Sequence, residues 1–117
     1  MLAQILVRQN QPSEAKKHFQ KAVLANSRYK EAWFGLGKAE LMLGHPASAI
    51  DPLKRAIAID SKYAQAHFLL GDALARLGRS SEARKEHELS AQIQAQQQAQ
   101  YTRKLDTSHS PSSPRVQ

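Results

Sequence analysis

The stretch YKEAWFGLGKAELMLG at residues 29–44 returns 34 positions later as YAQAHFLLGDALARLG at residues 63–78. The shift lays Tyr29 on Tyr63, Ala32 on Ala66, Phe34 on Phe68, Leu36-Gly37 on Leu70-Gly71, Ala39 on Ala73 and Leu43-Gly44 on Leu77-Gly78. Working outward, Ala15 falls on Ala49 and Ala49 on Ala83, while Ala22 falls on Ala56 and Ser27 on Ser61. A fixed period of this length marks an array of stacked supersecondary units, in which no unit buries its apolar face alone.

Each unit predicts two helices. Over residues 30–43, Trp33, Leu36, Gly37, Glu40 and Leu41 recur at helical spacings and end at Gly44, a residue suited to a left-handed stop. Pro46 marks the turn, and residues 47–59 carry Ala49, Ile50, Leu53, Ala56 and Ile57 on one face. Residues 64–77 repeat the first helix and stop at Gly78, and Ser80-Ser81-Glu82 supplies capping residues for the next. Small residues have a mechanical role: Gly37 and Gly71 stand opposite Ala49 and Ala83 where helices approach, and a larger side chain there would cost about 1–3 kcal/mol by overpacking. Trp33, Leu36, Phe19 and Leu53 are the expected fillers. Pro52 removes one backbone hydrogen bond within its helix, so a slight kink is expected.

The 117 residues suit one domain, and low aromatic content (6%) with abundant alanine favours close-packed helices over a sheet. The formal charge of +7 raises the question of nucleic acid. Its distribution argues against that, because residues 26–97 hold ten basic and eight acidic side chains, and the excess lies at the two ends. There is no cysteine, hence no disulfide. No apolar run approaches the roughly 20 residues that span a bilayer, and no secretory signal is visible, so a cytoplasmic location is the default expectation.

Catalytic chemistry finds no foothold. The five histidines, His18, His45, His67, His87 and His109, form no i,i+4 pair and no HExxH motif; no metal site, phosphate loop or nucleophile elbow is present, and no cofactor is expected. His67 occupies the position of Trp33 and is expected to act in packing. Toward the end, residues 91–100 are Ala- and Gln-rich, so the last helix is expected to extend to about 104 with little apolar face beyond Ile93. Residues 105–117, with Ser110-Pro111 and Ser113-Pro114, lack the apolar content to order and are expected to be disordered.

The pattern Trp33-x-x-Leu36-Gly37 with Ala49, Leu53 and Ala56, and again His67-x-x-Leu70-Gly71 with Leu74, Gly78 and Ala83, resembles the tetratricopeptide repeat. Leu2-Ala3, Leu6, Ala15, Phe19 and Ala22 fit a copy that begins partway, so the chain resembles the C-terminal portion of a longer array or a truncated product. The resemblance implies an all-α fold, an α-solenoid of antiparallel helix pairs with about 2.5–3 repeats. They are a partial first repeat at 1–29, a second at 30–63, a third at 64–97 with its capping helix to about 104, and the tail at 105–117. Ser27 and Ser61 replace the family's usual boundary proline, and the polar His87 and Ser90 are expected on a terminal helix whose outer side meets solvent.

In the family, the first helices of successive repeats line a concave groove for a peptide or partner helix. The groove positions implied here are Glu31, Phe34, Lys38 and Met42, then Gln65, Phe68, Asp72 and Arg76, with Arg8 from the partial copy. Phe34 and Phe68 would anchor an apolar side chain, and Lys38 with Arg76 a carboxylate; against this stands packing of both phenylalanines between repeats. Relatives that clamp the acidic tails of chaperones place Lys and Asn where this chain has Phe34, Gly35, Lys38, Gln65 and Leu69, so recognition of that kind is not expected. The expected function is a non-catalytic protein-interaction module with a protein or peptide partner and no small-molecule substrate. The alternative is a regulatory or targeting segment of a larger enzyme, with nucleic-acid binding through the basic ends a weaker third.

Overall fold

The computed structural model describes the backbone of residues 11–109 and the side chains of residues 11–105. Five helices follow one another: α1 (Pro12–Ala25), α2 (Lys30–Met42), α3 (Pro46–Ile59), α4 (Ala64–Arg76) and α5 (Ser80–His109), with no strand among the described residues. Residues 1–10, which hold the expected first helix of the partial copy and Arg8, lie outside the described residues, as does 110–117 with its two Ser-Pro dipeptides.

The period is written in the turns as clearly as in the helices. At the ends of α2 and α4, Gly44 and Gly78 take φ of +82° and +80°. The next residue closes a six-to-one bond back into the helix, His45 N–H to the Glu40 carbonyl at 2.8 Å and Arg79 N–H to the Leu74 carbonyl at 2.9 Å. This satisfies carbonyls that helix ends otherwise leave open, and it needs a residue without Cβ at the left-handed position. The other type of turn is built on Asn26 and Asp60, 34 residues apart. Each side-chain oxygen accepts the backbone N–H two residues on, Arg28 and Lys62, at 3.0 Å. Pro12 and Pro46 open α1 and α3, where a missing N–H costs nothing.

These short connections make neighbouring helices antiparallel and stack them in chain order, with α2 also meeting α4. One core cluster joins α1 to α2 through Ala15, Phe19, Val23, Ala32 and Leu36. A second, of Leu41, Ala49, Leu53, Leu70, Ala73, Leu74 and Ala83, ties α2 through α5 together. Gly37 has the close approach its spacing predicted: a Cβ there would meet Leu53 at 2.6 Å and the Ala49 carbonyl at 3.4 Å. Gly35, which the resemblance had aligned with a groove position, is instead pressed against the ring of Phe19. Of the expected fillers, Phe19, Leu36 and Leu53 are buried. Trp33 is half-buried; its indole N–H donates to the Ser27 carbonyl at 2.8 Å, and the Arg55 guanidinium lies 5.0 Å over its ring. Pro52 is buried, and α3 continues through it.

Two expectations about the last helix need correction. Ser90 does not face solvent: it is 2% exposed, and its hydroxyl donates to the Ala64 carbonyl at 2.9 Å, so a polar residue takes the inward site of Ala56 by finding a partner. His87 lies beside Gly71 and Phe68 of α4, yet its side chain stays 36% exposed, in keeping with an outer side that meets solvent. The helix also runs on to His109, beyond the expected stop near 104. Ile93 is buried, and the Gln97 amide donates to the Lys62 carbonyl at 3.3 Å, so the start of the extension docks on the preceding turn.

Candidate functional site

An open concavity of about 330 Å³ lies where α2, α4 and α5 meet, lined by Phe34, Lys38, Gln65, Phe68, Leu69 and Gln94. Phe34 and Lys38 come from successive turns of α2, and Gln65, Phe68 and Leu69 from the first half of α4. Helical spacing puts each set on one face, because residues three and four apart are neighbours. Phe68 is 49% exposed, which leaves about half of an aromatic side chain in water. Phe34 is half-buried and stacks on Tyr63 with centroids 5.1 Å apart, so it serves the joint between repeats as well as the wall of the concavity.

Of the positions implied by the resemblance, Phe34, Lys38, Gln65 and Phe68 share this concavity, and Glu31, Met42, Asp72 and Arg76 are not in its lining. Arg8 lies outside the described residues. Arg76 donates through Nη1 to the Leu41 carbonyl at 3.0 Å, which commits it to bridging α4 and α2. Asp72 meets His87 Nε2 at 3.2 Å, and the His87 ring sits 4.9 Å from that of Phe68. Met42 is 40% exposed and Glu31 is exposed. Two lining residues were missing from the expected site. Leu69 had been considered only as a clamp position. Gln94 belongs to the Ala/Gln run, whose composition carries no hint that it folds back over α4.

The electrostatics near the concavity are asymmetric. Lys38 is its one charged lining residue and has no ion-pair partner within 4 Å among the described residues. At its edge, Lys30 Nζ donates to Asp60 Oδ2 at 2.6 Å and lies 5.4 Å from the centre of the Tyr63 ring. That hydrogen bond lowers the pKa of Asp60 and raises that of Lys30. Burial pushes the Tyr63 hydroxyl from its ordinary 10.0 up to about 12, aided by the negative charges of Glu31 and Asp60. Among the described residues there is no group of three His, Asp or Glu placed to hold a metal ion, and no helix long and apolar enough to cross a membrane.

Stacked antiparallel helix pairs, left-handed glycine stops every 34 residues and an open face between the first helices of adjacent pairs define a helical-repeat scaffold. The family model of the tetratricopeptide repeat matches residues 1–64 and 60–99, and the chain belongs to that family. Among solved structures, MamA is similar at 30% identity with a TM-score of 0.76, over 79% of this chain and 54% of that one. The type III secretion translocator chaperone SycD of Yersinia enterocolitica, in complex with a peptide of the translocator YopD, is 22% identical with a TM-score of 0.76, over 79% of this chain and 70% of that one. The second repeat domain of Spaghetti (RPAP3), bound to the HSP90 peptide SRMEEVD, is 19% identical with a TM-score of 0.76, covering 78% and 84% respectively. The chain spans a little over half the length of the MamA structures it matches. A comparison with curated protein sequences gave no match.

Proposed function

We propose that this chain is a non-catalytic interaction module that takes up an extended segment of a protein partner in the concavity between α2, α4 and α5. The observation that carries this is the convergence of Phe34, Lys38, Gln65 and Phe68 on one open surface, with Phe68 half exposed. A scaffold does not gain by leaving an aromatic ring in water, whereas a binding surface uses such a ring as its anchor. Support comes also from two proteins of the same fold whose structures hold peptides, SycD with YopD and RPAP3 with an HSP90 peptide.

The test is to pan the whole chain against a random peptide display library and to map a selected peptide onto the 15N-labelled protein by NMR. Shifts concentrated on residues 34, 38, 65, 68, 69 and 94, with affinity lost in Phe68→Ala and an unchanged helical circular dichroism signal, are the expected result. Shifts on another face, with Phe68→Ala binding as the parent does, would overturn the groove. Arg76→Glu is a poor probe here, since it also breaks the link to the Leu41 carbonyl.

A further inference from the structure

The chemistry of the concavity narrows the partner. Its apolar lining is Phe34, Phe68 and Leu69, its polar lining the two amides Gln65 and Gln94, and its single charge among the described residues is Lys38. No acidic side chain among the described residues lines it. Three neighbouring charges are already engaged, while Glu31 is exposed one turn before Phe34 on α2. Asp72 faces His87, Lys30 faces Asp60, and Arg76 is held by the Leu41 carbonyl. Gln65 and Gln94 have no side-chain hydrogen bond among the described residues, so their donors and acceptors are open to an incoming backbone.

We infer that the partner segment presents one bulky apolar side chain to the Phe34–Phe68–Leu69 lining and, one or two residues along, a side-chain carboxylate to Lys38, with Gln65 and Gln94 bonding the backbone between. The inference rests on the groove reading above and adds the chemistry of its occupant. Charge complementarity selects the acid: a basic segment would bring like charge to Lys38, and a wholly apolar one would leave Lys38 partly desolvated without a partner. A chain-terminal carboxylate calls for several converging donors, and one lysine in an open concavity does not supply them, so the acid belongs to a through-running segment. Apolar contact supplies most of the affinity, and the lysine mainly sets preference and rate of encounter.

The experiment reads the sequences of the display-selected peptides and then the affinity of one of them by fluorescence anisotropy against the full chain and its variants. Enrichment of an aromatic or large aliphatic residue with Asp or Glu one or two positions away is expected. Lys38→Glu should weaken that peptide about tenfold, and a Lys-for-acid peptide should regain binding to Lys38→Glu but not to the parent. Peptides whose binding is lost in Phe68→Ala but is indifferent to Lys38→Glu, with no acidic preference, overturn the carboxylate and leave the groove standing. Peptides indifferent to both variants, or no enrichment at all, overturn both. A preference for free-acid over amidated C-termini, with no internal acid, overturns the through-running segment.

Discussion

At Gly35 and Gly71 the same residue type sits in two helices under different constraint. A Cβ at Gly35 would run into the ring of Phe19, which is 5% exposed and wedged between α1 and α2. A Cβ at Gly71 would meet the His87 ring at 2.5 Å and the Ala83 carbonyl at 3.1 Å; the ring, 36% exposed, can swing outward, but the carbonyl is backbone and must shift. Gly35→Ala should therefore cost about 1–3 kcal/mol in urea unfolding despite its gain in helix propensity, and Phe19→Leu in the same chain should restore part of it. Gly71→Ala should cost less than Gly35→Ala, since the His87 ring can move aside and only the Ala83 carbonyl must give. His67 shows how a polar residue takes an aromatic site. Its Nε2–H donates to the Ser61 carbonyl at 3.1 Å, as the Trp33 indole does to Ser27 one repeat earlier, while Nδ1 lies 2.7 Å from Glu86 Oε1. A carbonyl only accepts, so Nε2 is the donor to Ser61. His67→Phe leaves that carbonyl and carboxylate without their partner and should cost about 1–3 kcal/mol, partly recovered by adding Glu86→Ala.

At the scale of the element, the joint between α2 and α4 is held by Lys30, Asp60, Tyr63 and Phe34. Its groups titrate at opposite ends of the pH range, and the signs follow from their shifts. Asp60 is lowered below its ordinary 3.8 by the Lys30 hydrogen bond, so its contribution is present above that value and lost as pH falls further. Tyr63 is raised from 10.0 to about 12, so its contribution is intact below pH 10 and lost between about 10 and 12, a window in which Lys30, raised above 10.5, also begins to deprotonate. Urea midpoints measured from pH 9 to 12 should fall steeply for the parent and less steeply for Tyr63→Phe. Equal slopes would mean that the Tyr63 hydroxyl is not protected as its burial requires.

At the scale of the molecule, a 58 × 35 × 25 Å body with stacked neighbours owes its stability to adjacent contacts, so each end can be probed by itself. Beyond α4 and α5 lies a shallow face of about 470 Å³ with Ala75, Arg84, His87 and Ala91 in its lining. These are the counterparts of Leu41, Ile50, Leu53 and Ile57, which meet the following repeat. Restoring the apolar set, Ala75→Leu with Arg84→Ile, His87→Leu and Ala91→Ile, should raise the apparent mass by sedimentation, because an uncovered apolar stacking face seeks a partner. Removing residues 91–117 should lower the melting temperature through loss of buried Ile93, worth about 1.5–3 kcal/mol.

The sequence by itself determined the architecture, because small residues, glycine stops and apolar faces recurring every 34 residues are local requirements of close helix packing. Gly44, Gly78, Gly37 and Ala49 could be read at sight for that reason. The resemblance to the repeat family implied Phe34, Lys38, Gln65 and Phe68 as groove neighbours, together with Glu31, Met42, Asp72 and Arg76, which do not line the concavity. What the tertiary structure decided is which of those side chains are free. Arg76 is taken by a carbonyl 35 residues away, Asp72 by a histidine from the next helix, and Gly35 by a ring from the previous one. Likewise Ser90 turned inward and Gln94 joined the concavity. Each outcome depends on a contact between elements distant in sequence, and such contacts leave no local period to read.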